Sequence, residues 1–345
     1  MTRLGFLGAM NRDLVAQMPC APILQALGIT APPLLETAVS NVVARRGAEY
    51  LLALGASEYL GGSAFNAARI TALLNDDQAL DLAFFGIAGT LGEAVPHRDA
   101  LDSWAVDTSG VMVSPIAPAA CLAMVEAQGR TLLTASGANS AVADWLRRDM
   151  AGLAASIARC DIIHVTSYLD PEAPALIARL LERARERNPQ LIVSLDPGMG
   201  WVGPGGIGLR QLLAQTDILH LNSEELTLLR GGAEPALIGT AMRPGWLIVA
   251  RTHDGVTLHS AGEPFKRKLP SSPVPADFRV TDATGAGDTF CGAFLWSYCR
   301  DAAQPLEAAA LGFSLARHKV SMAGPLVLTD AVRREIAAHK LEKSW

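Results

Sequence analysis

The sequence predicts an α/β protein: a mostly parallel central sheet with helices on both faces. Three observations carry that expectation. Short apolar runs of the length of buried strands alternate with longer stretches of helical periodicity. Of the 345 residues, 50% are hydrophobic, ample for a large core. No internal repeat, low-complexity tract or linker breaks the chain, so a single domain over residues 1–345 is expected.

Composition bounds the function. A net charge of −5 argues against nucleic acid or an anionic membrane as main partner. The five cysteines, Cys20, Cys121, Cys160, Cys291 and Cys299, are scattered and lack zinc-ligand spacing, which fits a reducing cytoplasm. The first apolar run is interrupted too early for a signal peptide, and none is long enough to span a membrane.

Leu4 to Ala9 reads as the first buried strand. Asn11 and Asp13 follow at its C-terminal end, where open α/β sheets bind ligands, although both also suit a turn. Residues 19–33, with Pro19, Pro22, Pro32 and Pro33, read as irregular, and a helix is expected over Leu34–Leu54. Gly61-Gly62 opens the next helix, which buries Ala67, Ile70, Leu73 and Leu74; Asn66 lies one turn in, facing whatever sits over the glycines. Leu82–Ile87, Val111–Val113 and Cys121–Glu126 are strand-like, and Gln128-Gly129 turns the last into Arg130–Thr134. Asn139, in Gly137-Ala138-Asn139, suits a helix cap. Strands are expected at Asp161–Val165, Leu191–Leu195, Asp217–Leu221 and Trp246–Ala250, with a helix from Asp170-Pro171 to about Arg187. Pro264–Pro275 reads as a surface loop or edge strand, and helices follow to about Tyr298 and over Pro305–His318. His97, His164, His259 and His339 have no mutual spacing that suggests a site.

Two stretches carry chemistry. In Val280-Thr281-Asp282-Ala283-Thr284-Gly285-Ala286-Gly287-Asp288, a Gly-Ala-Gly turn opens a helix and presents backbone N–H groups at its positive end, an anion site. Asp288, in the first turn, either favours the helix dipole or accepts a proton from a hydroxyl attacking a bound phosphate. Asn222-x-x-Glu225, after a strand, is a capping-box pattern.

The stretch ending at Asp288 and the Gly61–Ile70 stretch resemble, in order, the second and first signatures of the ribokinase-like (PfkB) family of sugar and nucleoside kinases. The resemblance implies a ribokinase-like three-layer α/β/α sandwich with a small β lid formed by segments near 12–33 and 111–135. It implies transfer of the γ-phosphoryl of ATP to a hydroxyl, with Asp288 as catalytic base and Gly285, Ala286 and Gly287 as anion hole. Asn11, Asp13, Gly61, Gly62, Asn66 and Asn139 would contact the acceptor, and Asn222, Thr252 and Gly255 the nucleotide. Asn222 and Glu225 would act on Mg²⁺ through water. Asp282 and Thr284, with the Ala323-Gly324-Pro325 loop, would enclose a monovalent cation such as K⁺. The resemblance also implies a cytoplasmic enzyme with small-molecule partners, and allows a homodimer through the lid.

One departure matters. Val249-Ala250-Arg251-Thr252-His253-Asp254-Gly255 stands where relatives have Val-Thr-x-Gly-x-x-Gly, leaving the phosphate donor open. The acceptor is open too. The long lead-in before Gly61, and Arg251 in place of an apolar residue, lean towards an adenosine-like nucleoside; the Gly-Ala-Asn element leans towards a sugar. A non-catalytic ribokinase-like binding protein is the alternative from another class.

Overall fold

Two sheets organise the chain. The computed structural model describes residues 1–126, 129–231, 238–252, 255–262, 267–270, 278–322 and 324–342. The large sheet contains β1 (Thr2–Leu7), β5 (Leu80–Gly89), β6 (Asp107–Ser114), β9 (Ile162–Thr166), β10 (Ile192–Asp196), β11 (Ile218–Asn222), β12 (Leu247–Thr252), β13 (Gly255–Ser260) and β14 (Arg267–Pro270). Its order is β14-β13-β12-β11-β10-β9-β1-β5-β6. Every pair from β6 to β12 is parallel; β13 and β14 add antiparallel at one edge. The Pro264–Pro275 segment therefore contributes an edge strand, Arg267–Pro270, its remaining residues lying outside the described ones.

Burial explains the near-continuous apolar runs. On β5, Leu82 and Phe84 enter one core while Ala83, Phe85 and Ile87 enter the other, the period-two alternation of a sheet covered on both faces. One face packs against α5 (Val142–Ile157), α6 (Ala173–Arg187) and α8 (Ile207–Leu213). The other packs against α3 (Ser63–Leu74), α10 (Ala286–Arg300) and α11 (Pro305–Val320). Short helices α4 (Pro96–Ser103), α7 (Gly198–Val202), α9 (Ser223–Arg230) and the last, α12 (Asp330–Glu342), complete the layers.

The small sheet has the order β3-β8-β7-β2-β4, from β2 (Asn11–Gln17), β3 (Glu36–Ala38), β4 (Ser57–Gly61), β7 (Ala119–Glu126) and β8 (Gly129–Ala135). Helices α1 (Ala21–Leu27) and α2 (Asn41–Ala53) cover it through Leu14, Ile23, Leu51, Leu122 and Leu133.

Four local expectations change. Val111–Val113 belongs to β6 and pairs with β5 in the large sheet, so the small sheet draws on 119–135 and on β3 and β4 instead. Residues 21–27 are helical: Pro22 sits in the first turn, where its missing N–H costs nothing. The helix expected from Leu34 begins at Asn41, because Ser40 caps it and Glu36–Ala38 pairs with β8. Asp170 is not the cap: the helix starts at Ala173 with Glu172 as its N-cap and Pro174 in its first turn, while Asp170 Oδ1 accepts from Glu172 N at 2.8 Å and Ala173 N at 3.0 Å just ahead of it. Gln128 lies outside the described residues.

Candidate active site

β1 ends at Leu7 and the chain passes within three residues into β2, from the large sheet to the small one. Asn11 and Asp13 thereby line a cleft of about 650 Å³ opposite the C-terminal ends of β10, β11 and β12. That volume lies inside the range of about 300–1,000 Å³ usual for small-molecule sites.

The floor of the cleft is the start of α10. Gly285 is its N-cap with φ 75°, a left-handed conformation suited to glycine. The first i→i−4 bond of the helix is Thr289 N to Gly285 O at 2.8 Å. Of the expected trio Gly285, Ala286 and Gly287, the Ala286 N–H is already given to Ala283 O at 3.3 Å; the Gly287 and Asp288 N–H groups precede Thr289 and have no place in the helical ladder, the electrostatics of an anion site. Asp288 Oδ2 accepts from Asn66 Nδ2 at 2.8 Å, so the two resemblance-bearing motifs meet in one hydrogen bond. Burial, helped by the Asp196 charge and opposed by Asn66, Ser63 and Arg251, pushes the Asp288 carboxyl up to about 6.

Asp13 faces the cleft from β2, against the backbone of Gly61, its antiparallel neighbour strand. A Cβ on Gly61 would collide with this carboxylate, and one on Gly62, whose φ is 108°, with Ala9 O. Both glycines thus permit backbone contacts that bring Asp13 and α3 to the cleft; Gly62 itself lines it, Gly61 lies just behind. Burial first, then the charge of Asp288, raise the Asp13 carboxyl to about 7, while Arg130 opposes them. Asn139 donates to Met10 O and Asn11 Oδ1, both at 3.2 Å, and its buried Oδ1 has no protein partner. His97, buried on α4, bonds Asn11 O through Nε2 at 2.8 Å and so fixes the neighbouring strand.

Across the cleft, Asn222 and Glu225 form the expected capping box of α9: Asn222 Oδ1 accepts from Glu224 N and Glu225 N at 2.9 Å, and Asn222 N donates to Glu225 Oε2 at 2.9 Å. Both residues also line the cleft. Burial and the nearby Asp196 raise the Glu225 carboxyl to about 7. Thr252 lines the cleft and donates to Gly255 O at 3.2 Å. Gly255 is not among the residues lining the cleft; it opens β13, paired with Thr252 and Pro270. Between them, His253 and Asp254 lie outside the described residues.

Sequence reasoning left four charged groups unassigned. Arg251, at the end of β12, donates to Asp196 Oδ2 at 2.9 Å and to Gly287 O at 3.0 Å, bridging two strand ends to the anion turn. Burial is the largest single influence on the Asp196 carboxyl and would raise it, but Arg251, His220 and His164 together hold it below the ordinary range. The signal was present, since Asp196 ends a parallel strand at the ligand-binding edge. Arg130, from the small sheet, donates to Thr284 Oγ1 at 2.7 Å. Lys319 lies under the turn, with Nζ donating to Asp282 O at 2.8 Å. Asp282 and Thr284 are also joined to each other, Thr284 N donating to Asp282 Oδ1 at 2.8 Å. Beneath the cleft, His164 Nδ1 and His220 Nε2 both bond Ser194 Oγ, at 3.0 and 3.1 Å, and burial lowers both imidazoles' pKa, so they stay neutral core residues.

The profile of the pfkB family carbohydrate kinases matches residues 39–326. The chain belongs to that family. Adenosine kinase from Sinorhizobium meliloti has the same fold, with a TM-score of 0.75 over 98% of this chain and 99% of that one at 20% identity. Ribokinase from Thermotoga maritima superposes with a TM-score of 0.69 over 99% of this chain and 100% of that one at 19% identity. The ribokinase-like fold is therefore established. Among curated sequences, a cytidine kinase from Thermococcus kodakarensis is 29% identical over 35% of this chain and 43% of its own length. An uncharacterized sugar kinase from Archaeoglobus fulgidus is 29% identical over 51% of this chain and 65% of its own length. These matches span roughly half the length of the curated relatives. No helix among the described residues is long and apolar enough to cross a membrane.

Proposed function

We propose that this pfkB-family chain is a kinase that transfers the γ-phosphoryl of ATP to a hydroxyl of a sugar or ribonucleoside. The observation that carries the reading is the convergence of Asp13, from the small sheet, and Asp288, in the first turn of α10, on the open N-terminus of that helix. A polyol seated against Asp13, Asn11 and Asn139 presents a hydroxyl to Asp288. Asp288 accepts its proton, and the Gly287 and Asp288 N–H groups stabilise charge gathering on the transferring phosphoryl. Asn66 orients the base through its 2.8 Å hydrogen bond. The small sheet, as a lid, excludes water, which would otherwise compete as acceptor.

Mg²⁺ would neutralise phosphate charge in this reaction. Among the described residues no group of three His, Cys, Asp or Glu side chains is placed to hold a metal outright. The fit is to a water-shelled ion: one Glu225 oxygen is held by Asn222 N while the carboxylate borders the cleft, and Mg²⁺ commonly keeps several waters.

The test is acceptor-dependent release of ADP from ATP across a panel of sugars and ribonucleosides, with the product identified by mass. One acceptor should give stoichiometric ADP and a monophosphate ester. Ligand binding without any turnover, for every acceptor and nucleoside triphosphate tried, would instead support a binding protein.

A further inference from the structure

Lys319, in the last turn of α11, is 2% exposed. Its Nζ donates to Asp282 O at 2.8 Å, Asp282 Oδ2 at 3.2 Å and Met322 O at 3.4 Å. Asp282 Oδ2 also accepts from Gly324 N at 3.1 Å. The backbone closes the same loop pair, with Thr281 N and Asp282 N donating to Val320 O at 2.7 and 3.1 Å. The lysine stem runs directly under the anion turn: its Cε lies 4.0 Å from where a Cβ on Gly285 would be. On the far side the Tyr59 ring packs against Gly324 and closes the cage towards the small sheet.

The two Asp282 oxygens belong to one of the segments expected to enclose a monovalent cation, Asp282–Thr284; Met322 O stands just ahead of the other, the loop at 323–325, whose Gly324 N is already given to Asp282. The donor set does not fit a free ion. Two carbonyls and a carboxylate oxygen are already turned on an ammonium, a singly charged group of the same kind. A potassium ion placed among them would sit at contact distance from a like charge. Burial, the larger influence, lowers the Lys319 ammonium pKa below its ordinary value, and Asp282 opposes it in favour of the charged form.

We infer that Lys319 is a built-in monovalent cation. It ties 281–285 to 319–322 and Gly324, positions the anion turn ahead of Asp288, and makes potassium dispensable. Lys319 is thus a positioning residue acting through Asp282 and Gly285. The rate arm of the test rests on the kinase reading; the melting arm does not.

The experiment compares the wild-type chain in potassium, sodium and tetramethylammonium chloride at equal ionic strength. A specifically bound ion stabilises the folded state by mass action. The expected result is melting temperatures within about 1 °C of one another, less than a change of about 1 kcal/mol usually produces. Turnover should agree within about two-fold, a negligible barrier difference. Potassium-specific stabilisation or activation of the wild type would overturn the inference. Lys319→Ala should lose turnover, chiefly in kcat, and acquire a potassium dependence absent from the wild type, in rate or in melting temperature. Lys319→Met, which refills the space without charge, should gain no such dependence. Lys319→Ala turning over normally without any alkali cation would also overturn it. If no acceptor is turned over by the wild type, the kinase reading fails while the melting comparison still decides the potassium question.

Discussion

Asp288→Asn separates catalysis from stability more cleanly than any other single change here. Asparagine keeps the shape and can still accept from Asn66 Nδ2, which now lies 2.8 Å from Asp288 Oδ2. The carboxyl is raised from 3.8 to about 6, chiefly by burial, so its charge is uncomfortable in the folded chain. Two pKa units correspond to about 3 kcal/mol at most. Because the group borders an open cleft, solvent screening reduces this to roughly 1–2 kcal/mol. Removing the charge should therefore leave the melting temperature unchanged or raise it by roughly 1–3 °C. The rate should move the other way: losing a positioned base costs about 10²–10⁴ in kcat, or about 3–5 kcal/mol of barrier. The backbone anion site survives, so ATP should bind as well or better. The assay is kcat, nucleotide Kd and a melting curve on the purified variant. Turnover within a few-fold of wild type, or lower stability with normal turnover of the folded fraction, would refute the assignment of Asp288 as base.

The other predictions use the same readouts. Asp13→Asn should raise KM for the acceptor strongly and leave KM for ATP nearly constant; equal effects on both would reduce Asp13 to a structural role. Glu225→Gln retains a side chain able to complete the capping box, so melting should hold while the magnesium needed for half-maximal rate rises; an unmoved requirement would remove Glu225 from metal chemistry. Asp13 and Asp288, raised to about 7 and about 6, titrate as an interacting pair, and both must be ionised, so kcat/KM should fall as pH drops from 8 to 5, and a flat profile would contradict this. Stability is the wrong readout for that titration: raised carboxyls favour the folded state as pH falls from about 7 towards 4, whereas His97 and His164, both lowered to about 4, lose their contribution over the overlapping range below 6.5. Arg251→Met should cost roughly 3–5 kcal/mol by stranding the Asp196 charge, and Asp196→Asn added to it should restore most of the loss in a urea melt.

The parts of the site that could be read in the sequence sit at chain punctuation. Asp13 follows a buried strand, Gly62 and Gly285 mark turns that require their conformations, and Asn222 and Glu225 are spaced as a cap. What could not be read depends on partners distant in sequence. Val111–Val113 has the alternation of any strand, and nothing local says that β5 rather than the small sheet is its neighbour. Lys319, in a last helical turn, looks like an ordinary solvated cation favouring the helix dipole; only the fold places it over Asp282, 37 positions away. Arg251 and Asp196 are 55 positions apart and meet only because their strands end at the same edge. The β-propensity of Thr37 and the cap at Ser40, by contrast, were legible signals outweighed by the apolar periodicity around them.

The Asn66–Asp288 hydrogen bond spans 222 positions, and that separation bears on how the protein comes into being. Chains emerge from the ribosome N-terminus first, at about 5–20 residues per second. The acceptor-side residues, with β1, β5 and the small sheet, are therefore made well before the helices that carry the anion turn. Until α10 docks, the apolar face of α3 around Ala67 and Ile70 has no cover, since both residues are buried in the core that α10 completes. The nascent chain thus holds a half-site with a sticky face. Chemical competence arrives together with the burial that removes it, so a prematurely ended chain would be both inactive and prone to aggregate.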